Sequence, residues 1–146
     1  MKYSNQVIIN KPIGRVIELF DSVENLYKWM PGLQSYEHIS GEPGHAGAKA
    51  KLKFKMGKRE IEMIETVTLR DLPHEFSGTY EAKGVINPQR NLFTAIDDNT
   101  TKYESISEFQ FKGFGMKLLG MIMPNAFKKQ SQVYLDKFKE FVESEG

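Results

Sequence analysis

Along residues 49–56 every second position is a lysine (Lys49, Lys51, Lys53, Lys55), with Ala50, Leu52, Phe54 and Met56 between them. Such alternation describes a β-strand with one wet face and one dry face. Gly57-Lys58 follows and suits a two-residue hairpin turn with glycine first. Pairing across that turn sets Lys55 opposite Glu60, Lys53 opposite Glu62, Phe54 opposite Ile61 and Leu52 opposite Met63. Both faces come out consistent, so glutamates balance the lysine row. A second hairpin is predicted around a four-residue loop, Asp71-Leu72-Pro73-His74. It sets Arg70 against Glu75, Thr68 against Ser77 and Thr66 against Thr79 on the outer face. Leu69 then meets Phe76, Val67 meets Gly78 and Met63 meets Ala82 on the inner face. One inner pair breaks the apolar rule: Glu65 lies opposite Tyr80.

The flanking segments add helices and further strands. Residues 3–9 form a first strand; Asn10 is placed to cap a helix over 12–20, with Pro12 in its first turn. Val16, Ile17, Leu19 and Phe20 give that helix an apolar side. Ser22 caps a second short helix running to about Lys28, and Trp29-Met30-Pro31-Gly32 stops it. Residues 33–40 alternate weakly, and 41–47 form a loop rich in glycine and proline. A strand over 91–96 is apolar on both sides, so its register stays open. After a turn at 97–100, residues 101–111 form a strand with Tyr103, Ser105, Ser107, Phe109 and Phe111 on one side. From Met116 the period becomes helical: Leu119, Met123, Phe127, Gln130, Tyr134, Phe138 and Phe141 advance in steps of three and four and make one stripe. Pro124 lacks an N–H and predicts a kink or restart there.

Composition narrows the classes. The chain has 146 residues, a length usual for one domain. Lys+Arg number 20 and Asp+Glu 19, and that +1 balance argues against nucleic acid as a partner. No cysteine is present, which excludes disulfides, thiol nucleophiles and thiolate metal sites. No apolar run approaches the ~20 residues of a membrane span. Residues 1–10 lack the apolar stretch of a secretory signal, so the expected location is the cytoplasm. His38, His45 and His74 lack the spacing of a metal site, and neither a Gly-x-Ser-x-Gly elbow nor a P-loop occurs. No metal or cofactor is expected.

The face turned toward the long helix is largely apolar, yet it also holds Glu65, Tyr80, Tyr103, Ser105, Ser107 and Gln130. Burying such groups without partners costs roughly 1–3 kcal/mol each, and more for a carboxylate. A cavity for water or a small amphipathic molecule would tolerate them. Its walls would include Phe54, Met63, Phe76, Phe109, Met123, Phe127 and Tyr134, with Glu65, Tyr80, Tyr103, Ser105 and Gln130 orienting the ligand. Plainer readings stand beside this one. A β-bulge would turn Glu65 out to solvent; Glu65 and Tyr80 would otherwise pair structurally; the serines would make room for the helix; Gln130 would bond Tyr103. Met116, Met121 and Met123, with Leu118, Leu119 and Ile122, form an apolar patch that suits adaptable packing or a contact surface.

The order of elements resembles the START-like or SRPBCC superfamily, and within it the polyketide cyclase/dehydrase-like bacterial proteins. The resemblance rests on the first strand running into Asn10-Lys11-Pro12 with Val16, on Trp29-Met30-Pro31-Gly32, and on Glu65-Thr66-Val67 through Asp71-Leu72-Pro73. Thr100-Thr101 and the closing Phe138-Lys139-Glu140-Phe141-Val142-Glu143 complete it, so it covers almost the whole chain. It implies that residues 1–146 form a single START-like domain of α+β class with the helix-grip fold. That fold is a seven-stranded antiparallel sheet wrapped around a long C-terminal helix, with two short helices after the first strand. Members bind or transport hydrophobic ligands, some catalyse cyclisation or dehydration, and others act as co-chaperone-like modules. No universal catalytic residue exists to carry across. The expectation is therefore a monomer or homodimer that binds a small hydrophobic or amphipathic molecule. A cyclase/dehydratase-like enzyme, with Glu65 or Tyr80 handling a proton, and a protein-interaction module are the alternatives.

Overall fold

The computed structural model describes residues 1–113 and 124–145. Strand β1 (Lys2–Ile9) leads into helices α1 (Ile13–Phe20) and α2 (Val23–Trp29). Then come β2 (Leu33–Ser40), β3 (Lys49–Met56), β4 (Arg59–Asp71), β5 (Glu75–Ala82), β6 (Val85–Asp97), β7 (Thr100–Glu108) and a two-residue β8 (Gln110–Phe111). Helix α3 (Pro124–Ser144) closes the order. The sheet is antiparallel, in the order β1-β7-β6-β5-β4-β3-β2, with β8 paired to β6 off that path. This is the helix-grip arrangement expected, with one short strand added.

The lysine-rich hairpin has the expected register: Lys55 faces Glu60, Lys53 faces Glu62, Phe54 faces Ile61 and Leu52 faces Met63. Gly57 takes φ +64°, the conformation that a glycine-first hairpin turn requires. The contact that forms on the wet face is diagonal, Lys51 Nζ to Glu62 Oε1 at 3.4 Å. A second glycine is needed after α2. Gly32 has φ +79°, and a Cβ there would lie 2.6 Å from the Lys55 carbonyl oxygen. The chain can thus turn tightly into β2 while Lys55 N donates to Gly32 O at 2.8 Å.

The second hairpin corrects the expectation. Glu65 faces Tyr80 and Thr66 faces Thr79 as expected, but a bulge between Val67 and Leu69 shifts the rest by one residue. Leu69 then pairs with Ser77 and Arg70 with Phe76, replacing the expected Leu69–Phe76, Thr68–Ser77 and Arg70–Glu75 pairs. An extra residue in one strand reverses the faces beyond it. Leu69 is consequently 41% exposed. Arg70 instead bonds Asp21 with both terminal nitrogens and donates to the Gly44 carbonyl at 3.1 Å. Glu75 is left to Arg90 and Ser77, which hold its carboxyl below the usual range, the Arg90 bond foremost.

Three smaller differences follow local chemistry. Asn10 does not cap α1; Pro12 occupies that position and Asn10 N donates to Glu143. Ser22 does cap α2, accepting from Asn25 N at 3.2 Å. Strand 101–111 breaks at Phe109, and Gln110 and Phe111 continue along Ile86 and Val85. The expected patch at Met116–Met123 lies outside the described residues, and the described helix α3 begins at Pro124.

The densest packing surrounds the C-terminal half of α3, where Phe138 and Val142 are fully buried with Ile9 and Val16. Phe20 sets its edge against Phe76, Phe93, Tyr103 and Phe138, at 4.9–6.0 Å between ring centres. Leu33, Ala50, Leu52 and Phe54 form a separate group under β2 and β3.

Candidate functional site

Between these two groups the described residues surround a cavity of about 450 Å³. Its walls come from β1–β7, from the end of α1, from α2 and from the N-terminal half of α3. The sequence-predicted residues Phe54, Met63, Glu65, Phe76, Tyr80, Tyr103, Ser105, Phe109, Phe127, Gln130 and Tyr134 all line it. Met123 lies outside the described residues. Phe54, Glu65, Tyr103 and Ser105 are buried, and the other lining residues named here are half-buried.

Glu65 points inward. It is 7% exposed, and its two oxygens take different partners: Tyr36 Oη donates to Oε1 at 2.9 Å and Tyr80 Oη to Oε2 at 2.7 Å. The bulge that would have turned it out begins two residues later, beyond Val67. Side chains from three strands, β4, its neighbour β5, and β2 beyond the intervening β3, thus meet at one carboxylate. Burial, and then the nearby Glu65 charge, push both phenols upward from the ordinary tyrosine value. They therefore stay protonated donors at neutral pH.

Tyr103 has a hydrogen-bond partner of its own outside that cluster. It donates to Asn91 Oδ1 at 2.7 Å, and Asn91 Nδ2 donates to the Phe76 carbonyl at 3.1 Å. Tyr103, not Gln130, is thereby accounted for, and its phenol is raised by burial. Across the cavity Tyr3 bonds Ser131 at 2.7 Å. Phe109 packs on Phe127 at 4.9 Å and on Phe111 at 5.9 Å, forming an aromatic wall at that end. Ser105 is buried and lines the cavity; Ser107 is buried and accepts from Gln89 Nε2 at 3.3 Å. At the opposite rim, the Arg70 contacts tie the α1–α2 junction at Asp21 to the β2–β3 loop at Gly44.

Sequence patterning missed Tyr36, Asn87, Gln89 and Asn91, which also line the cavity. Tyr36 follows a register shift between Leu33 and Ser35 that breaks the alternation of β2. The three amides lie in the first half of β6, where Asn87-Pro88-Gln89-Arg90 carries no strand pattern. Among the described residues no group of three or more acidic, histidine or cysteine side chains could hold a metal. His38, His45 and His74 are exposed. No described helix is long and apolar enough to cross a membrane.

The family model described as "Polyketide cyclase / dehydrase and lipid transport" matches residues 1–143. The chain belongs to this family. Solved structures give the same architecture. The Zhui aromatase/cyclase from a Streptomyces species superposes with a TM-score of 0.84 at 12% identity, over 98% of this chain and 93% of that one. A conserved protein from Geobacillus kaustophilus gives 0.79 at 17% identity, over 99% and 96%. Norcoclaurine synthase from Thalictrum flavum, in complex with dopamine and hydroxybenzaldehyde, gives 0.74 at 15% identity, over 100% and 88%. At these identities the likeness to each neighbour is one of fold. No curated protein matches the chain by sequence.

Proposed function

We propose that this member of the polyketide cyclase/dehydrase and lipid transport family binds or transports a small hydrophobic or amphipathic molecule between its sheet and α3. The observation that carries the reading is the cavity of about 450 Å³, whose aromatic and aliphatic walls are interrupted by a few placed polar groups. Pockets for small molecules have that size and mixture. Apolar contact would supply most of the affinity, at roughly 25 cal/mol per Å² before ordering costs. Phe54, Met63, Phe76, Phe109, Phe127 and Tyr134 would enclose the apolar body. Met123 belongs to the same proposed set. Glu65, Tyr80, Tyr103, Ser105 and Gln130 would set its orientation. The chain would act as one domain over residues 1–146, in the cytoplasm, as a monomer or homodimer. The lysine row of β3 is faced by glutamates, which supports a small molecule over nucleic acid as the partner.

A cyclase- or dehydratase-like reaction at the same place has less support. Each Glu65 oxygen already accepts from a phenol, and those phenols hold their protons tightly. A general acid must release its proton to the substrate, and phenols raised in this way do so poorly.

The chain has one tryptophan, Trp29, which is buried and lines the cavity. Titration with the neutral fluorophore N-phenyl-1-naphthylamine should show saturable energy transfer from Trp29 at one site. Ala82→Phe, which adds bulk to the cavity wall, should weaken that transfer while the fold is kept. Transfer that never saturates, or that Ala82→Phe leaves untouched, overturns the reading.

A further inference from the structure

Two carboxylates, Asp21 and Glu65, line the cavity, and the described lining contains no lysine, arginine or histidine. Composition does not explain the asymmetry, because the chain carries 20 lysines and arginines against 19 acids. Asp21 is neutralised at the rim by Arg70. None of the ion pairs among the described residues involves Glu65. Its only described side-chain partners are two neutral phenols. Glu65 is thus a deeply buried carboxyl group, held in place from two sides by neutral donors, with no cationic partner among the described residues.

The direction of the hydrogen bonds sharpens this. Tyr36 and Tyr80 spend their only protons on Glu65, so what they can still offer a ligand is oxygen lone pairs. The Tyr103 proton is likewise spent on Asn91. This end of the cavity therefore accepts hydrogen bonds and offers few. Aromatic rings of Phe54, Phe76 and Trp29 share the cavity, and ring faces attract cations. A ligand carboxylate, sulfonate or phosphate seated at this cluster would meet like charge, with both phenol protons already committed.

We infer that the ligand carries a protonated amine, seated against the Tyr36–Glu65–Tyr80 cluster with its hydrocarbon or aromatic body along the apolar walls. This rests on the ligand-binding reading above and narrows it to cationic amphiphiles. The amine supplies the charge that Glu65 lacks and donates to the phenol oxygens. The phenols fix the carboxylate while leaving its charge for the ligand, since a tyrosine donor orients without neutralising. Charge-assisted bonds of this kind are roughly twice as strong as neutral ones.

Three probes of one skeleton separate the possibilities: 4-phenylbutylamine, 4-phenylbutan-1-ol and 4-phenylbutyrate, each titrated at neutral pH and followed by Trp29 fluorescence and calorimetry. The amine should bind about tenfold more tightly than the alcohol, and the acid most weakly. Glu65→Gln should bring the amine down to the affinity that the alcohol shows for the same variant. An alcohol or acid that binds as tightly as the amine overturns the amine inference and leaves the cavity reading intact. So does an amine preference that persists in Glu65→Gln. Failure of all three to bind the unmodified protein overturns the cavity reading itself. If Glu65→Gln does not fold, the ranking of the three probes on the unmodified protein still decides.

Discussion

The two halves of helix α3 carry the same stripe of large side chains and do different things with it. In the C-terminal half, Leu135, Phe138, Phe141 and Val142 are buried against β1, α1 and Trp29. In the N-terminal half, Phe127, Gln130 and Tyr134 stand on the same face but border open space. A spacing of three and four says which face of a helix turns inward; it does not say whether anything fills the space opposite. What differs is the company. Opposite Phe138 the sheet supplies Ile9, Phe93 and Tyr103, with Phe20 wedged between rings. Opposite Gln130 the cavity separates α3 from Glu65, Tyr36 and Tyr80, which bond one another.

Substitution on the helix breaks the symmetry most strongly. Phe138→Ala should cost about 3–5 kcal/mol, because a fully buried ring leaves a void that its neighbours cannot close. Phe127→Ala should cost about 2 kcal/mol or less, since part of that ring already faces space. Urea unfolding of the two variants side by side measures the contrast; equal costs would mean that both halves are packed alike.

The polar cluster gives the next effect. Tyr36→Phe and Tyr80→Phe should each cost about 1–2 kcal/mol by removing a donor from the buried carboxylate. The double variant should cost more than the sum, as the carboxylate is then stripped of both, and a double-mutant cycle in urea reads this directly.

Alkaline pH probes the same cluster. Tyr36 and Tyr80 have folded-state values raised above the unfolded one, first by burial and then by Glu65. Their contribution is complete below about pH 10, the unfolded tyrosine value. It is lost as pH rises through the raised folded values, because the unfolded chain releases those protons first. Stability measured across that range should fall with pH, and fall less steeply in Tyr80→Phe.

The smallest effect on stability belongs to the rim. Arg70→Ala should cost under about 1 kcal/mol, as expected of a partly exposed ion pair. Stopped-flow exchange of N-phenyl-1-naphthylamine should nonetheless accelerate, because the loop at Gly44 and the turn at Asp21 lose their tie.

How much of this could be read from residues alone follows the same division. Strict alternation fixed the first hairpin to the residue, since every inner position of β3 is apolar and every outer one is lysine. It also brought Glu65 opposite Tyr80 on the inner side. Alternation fails where the backbone inserts a residue. The bulge beyond Val67 moved Arg70 from a salt bridge with Glu75 to the cavity rim, and the shift in β2 concealed Tyr36, the second donor to Glu65. The amides of β6 stayed hidden because Asn, Pro and Gln read as loop until their neighbours in the sheet hold them extended. The polar inner residues were visible one at a time; the assembly that joins three strands at one carboxylate depends on register, which patterning does not carry past a bulge.

The most direct test is native mass spectrometry of the protein purified without denaturation from the cells that make it. A hollow that serves as a binding chamber predicts a species heavier than the bare polypeptide by one small molecule, released as collision energy rises. A single species at the polypeptide mass, with no bound component under the gentlest conditions, would contradict it.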